Sequence, residues 1–237
     1  MAYFEYILMG IILLPGIIFA AYAQYKVTQT YNEYSKVSSI KNIYAKDAVK
    51  QVLDGAGLSN VKQEEISGKL TDHYDPTTNT VRLSSEIANS TSVAALGIAM
   101  HEVGHALQHN KGYFPAKLRT FAIHFSNITS YFLWPLVLIG IIFNFVYLDG
   151  TLGSVFIWAG IAFFGIAVLV NLATLPVEFD ASKRSVKILR ELNMLDEVEL
   201  EGCKKVLTAA ALTYVAALVV SILNLLRFIL VFVRRRD

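Results

Sequence analysis

Four apolar stretches constrain this chain before any other feature: Ile7 to Ala23, Phe132 to Leu148, Val155 to Leu175, and Val206 to Val233 interrupted by Arg227. Each approaches the roughly 20 apolar residues that cross a bilayer, where only structures that satisfy their own backbone hydrogen bonds persist. The chain therefore reads as a mainly α membrane protein with about four transmembrane helices. Its hydrophobic content of 54% exceeds what a soluble domain normally carries. A net charge of +2, with no interleaving of basic and aromatic residues, argues against nucleic acid as a partner. The single cysteine, Cys203, excludes an intrachain disulfide and a cysteine-cluster metal site.

Between the first two spans lies the one sizeable soluble region, so the expected organisation runs in five parts. Residues 1–25 form the first transmembrane helix, 26–131 a catalytic domain, and 132–175 a transmembrane hairpin turned at Asp149 to Ser154. Residues 176–206 form a helical segment, and 207–237 a fourth span with a basic tail. Within the soluble region, Tyr31 to Leu53 is polar and helix-compatible, and Asp54-Gly55-Ala56-Gly57 punctuates it before a short stretch with strand character. The turn-forming run Asp75-Pro76-Thr77-Thr78-Asn79 then joins Leu70–Tyr74 to the alternating Thr80–Ser84, which predicts a β-hairpin. The expected domain is thus a small α+β unit whose hairpin edge could pair with an extended peptide.

The helix that follows carries His101-Glu102-Val103-Gly104-His105. Ser90-Thr91-Ser92 offers N-caps and Gly112 a C-terminal stop, bounding roughly 18–20 residues with the pentapeptide in the second half. Residues four apart differ by about 40° around the axis and about 6 Å along it, so both imidazoles can converge on one ion. His101 and His105 are the predicted ligands of one Zn²⁺ per chain. Glu102, about 100° round from His101, is placed to take a proton from water on the open side of the metal. Gly104 and the small neighbours Ala94, Ala95, Gly97, Ala99 and Ala106 admit close packing around a dry site. His109 lies about 12 Å along the axis from His101, beyond joint chelation, and fits a supporting or helix-end role. Lys111 occupies the position where a metzincin would place its third histidine.

The third ligand must come from elsewhere, and the run Pro176-Val177-Glu178-Phe179-Asp180 follows the third span directly. A hairpin of spans two and three would return Glu178 to the side where span two begins, beside the catalytic helix. Asp180 is a weaker candidate. With His101, His105 and Glu178 as ligands and Glu102 as general base, the set is that of a metallopeptidase that hydrolyses peptide substrates. His73, Tyr74 and Arg184 are possible donors to an oxyanion.

The HExxH helix, the apolar hairpin after it and Leu175-Pro176-Val177-Glu178-Phe179-Asp180-Ala181-Ser182 together resemble the neutral zinc metallopeptidases of bacterial membranes, the YugP-like proteins. So do Tyr74-Asp75-Pro76, Val81–Ser84 and the continuation Ala106-Leu107-Gln108. More distantly the chain is similar to the membrane gluzincins that include HtpX-type and CAAX prenyl proteases. In those a Glu on a later helix completes the metal site, which this resemblance assigns to Glu178. An acidic residue four further on is usual there, whereas this chain has Ser182, with Asp180 two residues early.

Two other classes compete. A site-2-type intramembrane protease would use Asp149 as third ligand, but Asp149 ends a span about 25 Å long and falls on the far side of the membrane from where that span begins. A zinc-binding scaffold without turnover would have no need of Glu102. Lys26, Lys36, Lys41, Lys117 and Arg119 around the soluble domain, with Lys183, Arg184, Lys187 and Arg190 after span three, favour a cytoplasmic active site on a multi-pass protein of the bacterial cell membrane. Arg234-Arg235-Arg236 pulls the other way unless the last segment re-enters or breaks near Arg227. No partner protein is identified.

Overall fold

The computed structural model describes residues 10–145 and 150–233, arranged in two compact units. One unit comprises Met1–Tyr22, Leu118–Leu175 and Tyr214–Asp237, and the other Ala23–Lys117 and Pro176–Thr213. The chain is mainly helical: α1 (Leu14–Tyr34), α2 (Ala45–Gly55), α3 (Ser85–Ala88), α4 (Val93–Asn110), α5 (Phe114–Phe145), α6 (Gly150–Glu191) and α7 (Glu197–Val233). Three short strands, β1 (Lys62–Ile66), β2 (His73–Asp75) and β3 (Thr80–Ser84), lie between α2 and α3.

In the first unit the described residues belong to long apolar helices. Two helical segments, Ser154–Glu191 and Glu197–Leu230, are long and apolar enough to cross a membrane. They cover the third apolar stretch of the sequence and most of the fourth. Phe164 stacks on Phe228 with ring centroids 4.4 Å apart, and Gly16 lets α1 approach Val220 and Leu223 of α7. Helix α7 runs unbroken through Arg227. Gly150 to Ser154, expected in a turn, are already helical, since isolated glycines cost a helix only about 1 kcal/mol each.

The second unit is built around α4. This helix is apolar on nearly every side, as a helix enclosed by its neighbours must be. Val93, Ala94, Leu96, Ala99, Met100 and Val103 are all buried, among Val49 and Leu53 of α2, Val81 and Leu83 of β3, Leu189 of α6 and Leu200 of α7. Its boundaries follow the expected chemistry. Ser92 Oγ accepts a hydrogen bond from Ala95 N, and Gly112, at a φ of 62°, lets Tyr113 N reach back to the Gln108 carbonyl at 2.9 Å.

The hairpin forms as expected, with Tyr74 opposite Val81 and Asn79 in the left-handed region of the turn. β1 adds to the other side of β3 in parallel, giving the order β1-β3-β2 and leaving β2 at an edge. The expected helix from Tyr31 to Leu53 is instead broken between α1 and α2. There Ser38 bridges Ser92, Ser39 N donates to the Thr91 carbonyl, and Asn42 takes a φ of 49°. Tertiary pairing to the start of α4 outweighs local helix propensity in that stretch.

Candidate metal centre

Two histidines one helical turn apart on α4 meet a glutamate from α6. His101 Nε2 and His105 Nε2 lie 3.1 Å apart, their rings nearly perpendicular. Glu178 Oε2 is 3.1 Å from His101 Nε2 and 3.5 Å from His105 Nε2. The three donor atoms fall within 4.8 Å of one another, and the Glu178 side chain is only 2% exposed. Ligands about 2.0–2.1 Å from a tetrahedral Zn²⁺ are separated by about 3.3 Å, so the observed spacings are those of three corners of such a site. The donor chemistry fits as well: two imidazole nitrogens and a carboxylate oxygen, with a fourth direction left over.

The electrostatics of the pocket favour positive charge. Burial alone would drive the proton off His105. The Glu178 carboxylate, the Glu102 charge and the contact with Gln108 together outweigh that burial and hold the imidazole above the usual histidine range. Glu102 itself is buried at 8% exposure, and its Oε2 accepts a hydrogen bond from Tyr74 N at 2.9 Å. That bond tells which way β2 faces. Alternate residues of an antiparallel strand turn their N–H and C=O to opposite sides, so Tyr74 points its backbone groups away from β3, toward the metal side.

Close approach of the two helices rests on a glycine. A Cβ on Gly104 would sit 2.8 Å from the Ala181 carbonyl oxygen, so any larger residue would hold α6, and Glu178 with it, away from the histidines. A second contact, Ser185 Oγ donating to the Gly97 carbonyl at 3.0 Å, fixes the same pair of helices one to two turns away.

Residues 9–233 match the family described as "Putative neutral zinc metallopeptidase". The chain belongs to this family. It is also 42% identical over 217 residues, 91% of this chain and 92% of the relative, to the "Putative membrane protease YugP" of Bacillus subtilis (strain 168). No solved structure matches it. The zinc metallopeptidase thus carries its family's name on a His-His-Glu cluster, with a small mixed sheet beside the HExxH helix.

The remaining sequence candidates separate cleanly. His109 stands apart from the cluster, its Nδ1 2.7 Å from the Tyr74 hydroxyl, which also reaches Asn79 Oδ1. Ser182, one turn after Glu178, places Oγ 3.2 Å from His101 Nδ1. Asp180 accepts from Gln108 Nε2 and from Arg184 Nε, and Arg184 in turn lies over the Tyr113 ring. Arg184 is therefore engaged with Asp180, and His73 Nδ1 is 2.8 Å from the Thr71 carbonyl. Asp149 lies outside the described residues.

Sequence reasoning missed Gln108. It is essentially fully buried, its Oε1 3.0 Å from His105 Nδ1 and its Nε2 2.8 Å from the Val177 carbonyl. Its position three after His105 puts it on the ligand face of α4, a spacing that would have flagged it. Backbone donation from Tyr74 to Glu102 was also missed, and no side-chain pattern reveals a bond of that kind.

Proposed function

We propose that this chain is a membrane-embedded zinc-dependent metalloendopeptidase in which His101 Nε2, His105 Nε2 and Glu178 hold one Zn²⁺ and Glu102 is the general base. The observation that carries this reading is the convergence of those three donor atoms to 3.1–3.5 Å separations from two helices far apart in sequence. Bound there, zinc would supply the Lewis acidity that acidifies a water and polarises a peptide carbonyl. The Glu102 carboxylate would accept a proton from the attacking water and pass it to the departing amine. Tyr74 N–H holds the Glu102 carboxylate in place for both transfers. The outward Tyr74 carbonyl on the β2 edge would accept a hydrogen bond from an extended substrate and so align the chain to be cut beside Glu102.

The substrates in this reading are membrane or membrane-associated proteins. Support for membrane placement comes from the two long apolar helices and from the relative's printed name, and the full reading is a multi-pass protein with its active site at the cytoplasmic face. The test uses full-length protein purified in detergent. Glu102→Gln should retain zinc and fold but lose peptide hydrolysis, because an amide cannot accept the proton. Glu178→Ala should lower zinc content. Full hydrolysis by Glu102→Gln, or unchanged zinc in Glu178→Ala, would overturn the assignment.

A further inference from the structure

Zinc binding through Nε2 requires His105 to carry its proton on Nδ1, and something must hold it in that tautomer. Gln108 faces Nδ1, but an amide has two ends, and only one of them can receive a proton. The orientation is decided on the far side. Gln108 Nε2 lies 2.8 Å from the Val177 carbonyl and 2.8 Å from Asp180 Oδ2, two groups that can only accept. The NH₂ end is therefore fixed on α6, and Oε1 is left to face His105 Nδ1 at 3.0 Å. Asp180 is itself steadied by Arg184. Reversing the amide would set an oxygen against two oxygens in a buried place, with the full cost of unsatisfied groups.

We infer that Gln108 is a positioning residue that selects the metal-binding tautomer of His105 by anchoring its own amide on the helix that carries Glu178. This rests on the reading of His105 as a zinc ligand. The arrangement has a consequence beyond orientation. Gln108 bonds the peptide group that leads into Glu178 and the imidazole opposite it, so one side chain ties together ligands 73 residues apart in sequence. In many zinc sites the partner of the imidazole N–H is a carboxylate. Here Gln108 and Ser182 face the two Nδ1 atoms, and the Asp180 carboxylate acts one residue removed, through Gln108.

The experiment compares zinc affinities, by competition with a chromophoric chelator at pH 8, for the full chain in detergent. Gln108→Met keeps length and bulk but has no acceptor for Nδ1–H, and should bind zinc 10- to 100-fold more weakly, the usual scale for loss of such a partner. Two double variants isolate the acceptor in one background. Gln108→Glu with Asp180→Asn restores an acceptor to His105 and gives the new carboxylate a donor from position 180, while its other oxygen meets the Val177 carbonyl, so it should bind more weakly than wild type but several-fold more tightly than the second double variant. Gln108→Met with Asp180→Asn should remain weak. Equal affinity of Gln108→Met and wild type, or of the two double variants with each other, overturns the inference while leaving the metal site standing. Failure of the wild type to bind zinc at all overturns the site reading on which it rests.

Discussion

Gly104→Ala tests the claim that helix contact, not only ligand identity, makes the site. The added methyl would meet the Ala181 carbonyl oxygen at 2.8 Å, with Ala181 Cα at 3.2 Å and its carbonyl carbon at 3.3 Å. All three are backbone, so no side chain can swing aside. Relief to ordinary contact requires α4 and α6 to part by roughly 0.6 Å, since carbon contacts settle at about 3.5 Å or slightly less against oxygen. Overpacking of this kind typically costs about 1–3 kcal/mol, while replacing a mid-helix glycine by alanine returns about 1 kcal/mol, so the net stability loss should be about 0–2 kcal/mol. The metal should suffer more. Metal–ligand distances tolerate only about ±0.2 Å, and Glu178 sits one turn from Ala181 on the displaced helix. Zinc affinity should fall at least tenfold, measured by chelator competition, with the thermal transition of the metal-free protein moved by only a few degrees. Two controls sharpen the reading. Gly55→Ala meets nothing within 4 Å and should leave both quantities near wild type, whereas Gly97→Ala would press on Cys203 Sγ and should destabilise without selectively weakening zinc. Wild-type zinc affinity in Gly104→Ala would refute the argument that close approach at Ala181 positions Glu178.

Arg82, with Thr78 and the Thr77 N–H, holds the Asp75 carboxyl well below the ordinary carboxylate range. Its folded value lies under its unfolded one, so the hairpin gains stability above about pH 4 that is lost as the pH falls further. Thermal melts from pH 7 to pH 3 should show Asp75→Asn with a flatter acid limb than wild type; identical limbs would contradict the linkage. Cysteines introduced at Lys69, Gly150 and Lys187 in a Cys203→Ser background should react with an impermeant thiol reagent on intact cells only at position 150, if the active site is cytoplasmic. Opposite labelling at 69 and 187 would place Glu178 and His101 on different sides and break the proposed site.

The legible parts of this chain were those with strong local signals. The caps of α4, the hairpin turn and the two later apolar helices could be read because Ser92, Gly112, Asn79 and the uninterrupted hydrophobic runs act within a few residues of themselves. Glu178 could be read because topology restricted where a third donor could return from and the family resemblance pointed to the same residue, and the structure brings it to the two histidines. What stayed hidden depends on contacts distant in sequence. The break at residues 35–44 exists because Ser38 and Ser39 pair with Ser92 and Thr91. A short strand after Gly57 was anticipated and β1 forms there, but its parallel pairing with β3 leaves no turn signature to announce it. Ser182 facing His101 follows from helix spacing once α6 is known to be continuous through Pro176, a residue that local rules would have used to end a helix.

Burial of Glu178 leads to a test that separates folding from binding. A carboxylate at 2% exposure between two imidazoles costs several kcal/mol of lost hydration, which the interior repays only through well-matched positive charge. A zinc ion repays it far more fully than a shared proton, and ions that bind only the folded state stabilise it, by about 2.7 kcal/mol at 100 times the dissociation constant. Glu178→Gln should therefore reverse its rank with metal. Without zinc, the neutral amide removes a buried charge at little change in volume, and the imidazoles left facing it can shed their proton and need no counter-charge, so the variant should melt at or above the wild-type temperature. With saturating zinc, the wild type should rise by several degrees while the variant moves little, having exchanged a charged ligand for a weak one. Thermal melts of both proteins in chelator and in excess zinc decide the matter. A variant that is less stable than wild type in chelator and gains equally from zinc would mean that Glu178 is a structural carboxylate, and that the cation for which this pocket is charged is held by the two histidines without it.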